Sequence, residues 1–449
     1  MSFELQFSDK EITAWGGMGL MKRMLDHLDF EAALGASGLP QPGSNRGYRP
    51  EQLIVQFMLS VWCGANRFEH GEVTRHDPVL RRLFGFERMA NFKAVTRLFR
   101  KFTQADNERV LSSVYRWLFG QLALDELTLD LDSTVMTRYG QQQGAARGYN
   151  PAKPGRASHH PLMAFVSDTR MVANCWLRPG NAHTANNAQA FLDNTLEKLG
   201  GKRVALLRAD SGFCDNAFVE GLEQKRMHHI IALRLNQPLQ RALVDQRGWW
   251  TLDDGIELAS FEYQAPSWPK ARRVVGIRQH IQRRQAAKGK TLSLFPDDPQ
   301  VGNYRFAALV TDLSLPAQEI WRSYRGRVDC ENRIKELKYD FAAGSFCLND
   351  FWATEACLNM EMLAYYLMSL FRQAVLKTAV KQGAKDVQHT LQTLRYKLFA
   401  KAGYITTQGR KNILKLCVAM RQREWFEGLW DRSKSFSLPV CFTPIFSSR

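Results

Sequence analysis

SYRGRVDCENRIKELKYDF, residues 323–341, is the stretch from which the chain is best read. Taken as a helix, it carries Tyr324, Arg327, Glu331 and Lys338 at successive offsets of three, four and seven. At ~100° per residue these four side chains fall in a stripe roughly 60° wide. One face then presents a phenol, a guanidinium, a carboxylate and an ammonium. A solvated face has reason to hold the charges, but none to keep an aromatic in line with them. A single acid on a helix does little chemistry alone. Two more carboxylates, Asp132 and Asp210, lie far upstream, each at the end of a strand-like run.

The first of those runs has period two: Leu127, Leu129 and Leu131 alternate with Thr128, Asp130 and Asp132, giving a strand with carboxylates on one face. Asp130 and Asp132 share that face, and either could be the working acid. A polar, Gly-rich loop, 139–160, follows. Residues 162–166 and 171–177 then read as two more strands, completing an antiparallel meander. Residues 186–199 read as a helix, and 204–209 as a buried strand ending at Asp210. A helix over 216–224 and a short strand over 229–233 come next. The order βββ-αβαβ is that of a ribonuclease-H-like fold, α/β with a mixed sheet that presents acids at strand ends. Strand-like segments at 249–263, 272–279 and 304–311, with a basic loop at 283–290, suggest a mainly β insertion. Pro316 opens the helix quoted above, and 352–376 reads as a long apolar core helix.

Residues 1 to ~120 read as helical. Within them, 91–102 is an amphipathic helix with Phe92, Val95, Phe99 and Phe102 on one side and Lys93, Arg97 and Arg100 on the other. Such a helix suits DNA contact or an ordinary surface position equally. The segment 394–416 is rich in Lys and Arg. The expected organisation is a helical DNA-binding region (1–120), a first part of the core (121–234), a β-rich insertion (235–312), a second part of the core (313–378) and a helical basic C-terminal region (379–449).

With 449 residues, 45% hydrophobic and 11% aromatic, the chain can bury sizeable cores. Its net charge of +17 suits a polyanionic partner. The eight cysteines are scattered without a C-x-x-C pair, which disfavours a zinc site or disulfide framework and points to reduced thiols in a cytosol. The N-terminus does not read as a secretory signal, and no stretch reads as a membrane span.

Three carboxylates gathered from two strands and a helix could hold two divalent cations, with Mg²⁺ or Mn²⁺ suiting the hard oxygen donors. Such a pair supports in-line phosphoryl transfer, and the basic charge makes DNA the natural substrate. Here the sequence resembles a known family. Tyr324, Arg327, Glu331 and Lys338 match at every position the Y-x2-R-x3-E-x6-K signature of bacterial insertion-sequence DDE transposases. LDLDST (129–134) resembles that group's first-Asp motif, favouring Asp132 over Asp130, and RADSGF (208–213) its second, giving Asp210. NPAKPGRASHHPL (150–162) and RPGNAH (178–183) are also similar to segments of one subgroup. The resemblance spans roughly 125–375, together with a comparable helical N-terminal region.

It implies a DNA transposase that cleaves element ends and joins the freed 3′-hydroxyl to target DNA. Asp132, Asp210 and Glu331 would be the catalytic metal ligands. Tyr324, Arg327 and Lys338 would hold phosphates of the element end, with Lys93, Arg97 and Arg100 as further DNA contacts. The partners would be terminal inverted repeats and target DNA, bound by a homodimer near a bacterial nucleoid. Some relatives use a hairpin intermediate and a tryptophan of the insertion; Trp249, Trp250 and Trp268 lie in the corresponding region without a matching motif.

Each residue also has a plainer reading. Asp210 could be a helix N-cap, Arg327 an i,i+4 partner of Glu331, and His159, His160 and His183 structural or loop hydrogen-bonders, with a contact behind the metal ligands or to DNA as their alternative. The basic C-terminal face could simply be solvated. Three rival functions remain: a nuclease of the same fold without joining, a domesticated DNA-binding protein, and a metal phosphatase acting on small molecules, which fits the acids but leaves the charge unexplained.

Overall fold

A computed structural model describes residues 3–7, 9–43, 47–183, 187–253, 255–281, 304–376, 380–382 and 385–447. The expected basic loop 283–290 lies outside the described residues. Among the N-terminal helices, α1 (Pro50–Trp62) opens at a proline, as its fixed φ and missing N–H favour, and is almost wholly buried. Helix α2 (Phe92–Phe99) is capped by the Asn91 side chain, which accepts from Ala94 N at 3.0 Å. It is shorter than the expected 91–102, so Arg100 is its C-terminal cap and Phe102 lies beyond it. Helix α3 (Gln104–Gly120) begins with a reciprocal Thr103–Asp106 capping box.

Nine strands form one sheet. In chain order they are β1 (Glu126–Ser133), β2 (Leu162–Val166), β3 (Met171–Trp176), β4 (Arg203–Ala209), β5 (His228–Ala232), β6 (Trp250–Asp253), β7 (Ile256–Tyr263), β8 (Arg272–His280) and β9 (Tyr304–Thr311). Across the sheet the order is β6-β7-β8-β9-β5-β4-β1-β2-β3. Strands β1, β4 and β5 run parallel, while β2 and β3 form the antiparallel meander on one side. Helices α4 (Ala188–Lys198) and α5 (Asn216–Gln224) connect β3 to β4 and β4 to β5. This is an open ribonuclease-H-like sheet flanked by helical regions at both ends of the chain.

The insertion differs from a separate β unit. Strand β9 pairs antiparallel with β5, so β6–β9 extend the core sheet. The expected single strand at 249–263 is two strands, and Gly255 between them adopts a φ of +69° that other residues resist. The loop 139–160 also carries structure: its Ala146–Arg147 and Ala157–His159 join Met136–Thr137, just before it, in a small three-stranded sheet.

After the sheet come α6 (Ala317–Arg325), α7 (Val328–Asp340) and α8 (Phe351–Leu370). Helix α8 is mostly apolar and buried from Ala353 to Leu370, and its buried acids Glu355 and Glu361 accept from Leu177 N and Gly344 N. Trp62 Nε1 donates to Ala364 O at 3.1 Å, joining α1 to α8. One hydrophobic core runs through the N-terminal helices, the sheet and α8.

The basic C-terminal segment is not helical throughout. Residues 403–416 form a hairpin of β10 (Gly403–Gln408) and β11 (Lys411–Leu416), followed by α9 (Met420–Arg432). All eight cysteines are free thiols. Among the described residues no helix is long and apolar enough to cross a membrane.

Candidate active site

Parallel pairing of β1 with β4 brings the two aspartates to the same end of the sheet: Leu131 pairs with Ala209, and Asp132 and Asp210 are the next residues on each strand. Asp130, one row earlier, lies opposite Arg208. The two form a buried bidentate pair, Nε–Oδ1 2.6 Å and Nη2–Oδ2 2.8 Å. Arg208 also donates to Ser167 Oγ at 2.7 Å and, through Nη1, to Ser323 O at 2.5 Å.

That last bond bears on the helix quoted at the outset. It is not continuous but two helices, α6 and α7, meeting at Gly326–Arg327. Arg208 draws on the Ser323 carbonyl, and the joint is closed by tight three-residue bonds, Arg327 N to Tyr324 O (3.0 Å) and Cys330 N to Arg327 O (2.9 Å). Gly326 makes room for it, since a Cβ there would stand 2.8 Å from Arg208 Nη1. Tyr324 therefore lies in the last turn of α6, Arg327 sits at the joint, Glu331 lies in the first turn of α7 and Lys338 in its last.

The four signature side chains still converge on the strand ends. Arg327 is buried, with Nη2 3.0 Å from Asp132 Oδ2 and donating to Leu131 O at 3.1 Å. Its Nη1 is 3.8 Å from Glu331 Oε1. Lys338 Nζ donates to Val135 O at 3.1 Å, just beyond Asp132. Asp210 caps the short turn Ser211–Phe213, its Oδ1 accepting from Gly212 N at 2.9 Å, so the plainer role expected for it is also present.

The electrostatics tie these groups together. Burial pushes the Asp132 carboxyl up to about 6; Arg327 opposes the rise, while Asp210 and Glu331 add to it. Burial alone would lower the Arg327 guanidinium, but Asp132, Cys330, Tyr324 and Asp210 raise it, so it stays charged. Burial also raises the Tyr324 phenol, which feels Arg327 and all three acids. Burial lowers the Lys338 ammonium, and Asp132 counters this.

Among the described residues, no three His, Cys, Asp or Glu side chains stand close enough to enclose a metal ion. The chemistry of the donor set nonetheless fits a hard divalent ion. Asp210 and Glu331 lie near enough to the buried Asp132 carboxyl to add to its upward shift, and all three offer hard oxygen donors. Glu331 is the loosest of the three, its side chain 56% exposed.

Two further residues neighbour these groups. Cys330 Sγ lies 3.9 Å from Asp132 Oδ2, a contact implied by its position three residues after Arg327 on the same helix side. His160 shares a hydrogen bond of 3.2 Å with Ser133 Oγ, the residue after Asp132, and lies within the field of Asp210. His159 instead bonds Arg138 and Gln143 O, in keeping with its plainer reading.

Lys93, Arg97 and Arg100 are exposed on and just after α2 and are not part of this cluster. Trp249 and Trp268 are packed under Arg278 and Arg272, while Trp250 is 39% exposed on the edge strand β6. A cavity of about 610 Å³ at the edge strand β3, lined by Trp176, Lys198, Trp352 and Glu355 among others, includes none of the three acids.

A family model described as transposase DDE domain, group 1, matches residues 1–436. Among solved structures, a piggyBac transposase synaptic complex with hairpin DNA is similar at a TM-score of 0.41 and 12% identity. The alignment covers 87% of this chain and 81% of that one. No curated protein sequence matches the chain.

Proposed function

The chain belongs to the transposase DDE domain group 1 family, and we propose that it is a metal-dependent DNA transposase working through Asp132, Asp210 and Glu331. The observation that carries this reading is the convergence of the two strand-end aspartates with the Tyr324–Arg327–Glu331–Lys338 face. Asp130 is left out because both of its oxygens are committed to Arg208.

Asp132, Asp210 and Glu331 would hold two Mg²⁺ or Mn²⁺ ions. When bound, these would activate a water or a 3′-hydroxyl and stabilise the leaving oxygen of an in-line displacement. The chain's own residues supply the rest. Arg327, fixed between Asp132 and Leu131 O, holds the first aspartate in place and offers charge to a strand phosphate. Lys338 brings an ammonium to the Asp132 side of the site. Tyr324, still protonated at neutral pH, can donate to a phosphate oxygen. His160 steadies Ser133 and thereby the end of β1. Lys93, Arg97 and Arg100 would contact flanking DNA. Joining two element ends calls for two protomers, so a homodimer on DNA is expected.

The test is to incubate the protein and Mg²⁺ with a labelled duplex from the element end and a supercoiled plasmid. Label joined covalently to plasmid through a 3′-hydroxyl is expected. Cutting without joining would favour the nuclease, and end binding with neither reaction the domesticated binding protein.

A further inference from the structure

Between residues 388 and 423 the chain carries eight Lys and Arg and no Asp or Glu, although the whole sequence has 44 acids to 61 Lys and Arg. The β10–β11 hairpin is the centre of this stretch. Its strands are six residues each, or roughly 20 Å long. A two-residue loop joins them, with Gly409 at a φ of +58° as so tight a hairpin requires.

One face of the hairpin is fixed to the body of the protein. Leu416 lies so close over Gly16 that a Cβ there would stand 2.5 Å from its Cδ2, and Leu414 approaches Gly19 similarly. Arg82 donates to Thr407 Oγ1 and Asn412 Oδ1, both at 3.3 Å. Gly403 exchanges backbone bonds with Thr13 at 2.9 and 3.0 Å. Alternation then places Tyr404 and Gln408, paired across to Lys415 and Lys411, on the opposite face. Gln408, Lys411, Lys415 and the loop residue Arg410 are exposed. Lys10 adds another ammonium, its Nζ 3.3 Å from the Tyr404 ring centroid.

We propose that this ribbon enters the major groove of duplex DNA at the element end. Arg410, Lys411 and Lys415 would take phosphates, and Gln408 would face base edges. The major groove admits a two-stranded β-ribbon. An ammonium-rich face without carboxylates suits a polyanion, and a Gln side chain both donates and accepts, as reading a base edge requires. A rigidly backed ribbon also presents those groups at fixed spacing. The assignment rests on the transposase reading and adds a second DNA-reading element to α2.

The experiment measures binding of the full chain to tiled duplexes covering the flanks of its coding sequence. Wild type is compared with Lys411→Ala/Lys415→Ala and with Gln408→Ala across a range of salt. All three side chains are exposed, and thermal melting confirms that the variants fold. The double variant should bind roughly tenfold or more weakly, with a plot of log affinity against log salt shallower by about two. Gln408→Ala should keep the slope and lose on the order of tenfold in preference for the end over a scrambled duplex. Methylation of guanine N7 within the ribbon's footprint should weaken wild type more than Gln408→Ala. Wild-type binding with slope and preference unchanged in both variants overturns the ribbon assignment and leaves the transposase reading standing. Equal competition by polyglutamate and by end duplex overturns the choice of DNA as the ribbon's partner. Wild type that neither binds nor cuts any flanking duplex overturns the transposase reading, and the ribbon assignment with it.

Discussion

Asp130 and Asp132 are two residues apart on one face of β1, and their surroundings give them opposite tasks. Asp130 is paired with Arg208 in the interior and holds strands β1 and β4 to the α6–α7 joint. Asp132 lies one row further out, with its carboxyl pushed up to about 6 by burial. Asp130→Asn should therefore cost about 3–5 kcal/mol, because it leaves a buried guanidinium without its partner. Asp132→Asn should cost less, because Arg327 keeps the Leu131 carbonyl and has Glu331 3.8 Å away, and it should lose DNA cleavage. Thermal unfolding of the two variants checks the contrast. The period-two pattern of β1 made both acids visible in the sequence. What separates them is a strand pairing 78 residues away, which no local pattern encodes.

At the scale of elements, the 3-4-7 spacing of the signature residues was legible and the break in the helix was not. The break follows from Arg208 reaching the Ser323 carbonyl, and Gly326 has the room for it. Arg208 is held by Asp130 and Ser167 and cannot easily retreat. Gly326→Ala should thus destabilise by about 1–3 kcal/mol through overpacking. It should also displace Arg327 and slow cleavage more than it weakens DNA binding. Chemical denaturation together with separate binding and cleavage assays tests both parts. The far side of α7 serves the C-terminal segment. Glu336 Oε1 accepts from Leu391 N and Asp340 Oδ2 from Gln392 N, each at 2.9 Å, so the element bearing Glu331 also anchors the approach to the ribbon. That ribbon falls in the region expected to be helical, and its local signal is only the β-branched run Ile405, Thr406 and Thr407 ahead of Gly409.

Over the whole molecule, the order of core strands and the long buried helix followed from hydrophobic pattern alone. The extension of the sheet by β6–β9 did not, because pairing of β9 with β5 is a contact between distant segments. Helix α8 joins the layers. Glu355 on it accepts from Leu177 N at 3.0 Å, at the end of β3, and from Asn107 Nδ2 of α3 at 3.2 Å. Burial raises its carboxyl from 4.5 to about 7. Between those two pH values the folded chain keeps a proton that the unfolded chain has released, so this group's contribution to stability falls as pH rises through the window. Glu355→Gln should remove that decline, since an amide does not titrate in this range; it can also donate to Asn107 Oδ1, which has no partner among the described residues. Melting temperatures of wild type and variant should agree near pH 4.5 and diverge above pH 7, with the variant higher. A variant that melts lower at both values would show that the carboxylate is needed as such.

The most direct test of the assigned site is single-turnover cleavage of a labelled element end in Mg²⁺ by wild type, Asp132→Asn, Asp210→Asn and Glu331→Gln, with DNA affinity measured in parallel. Each substitution should slow cleavage by roughly a thousandfold or more while binding stays near wild type, as expected for groups that act on the transition state. Wild-type cleavage rates in any one of the three variants would contradict the assignment of that residue, and in all three would contradict the site.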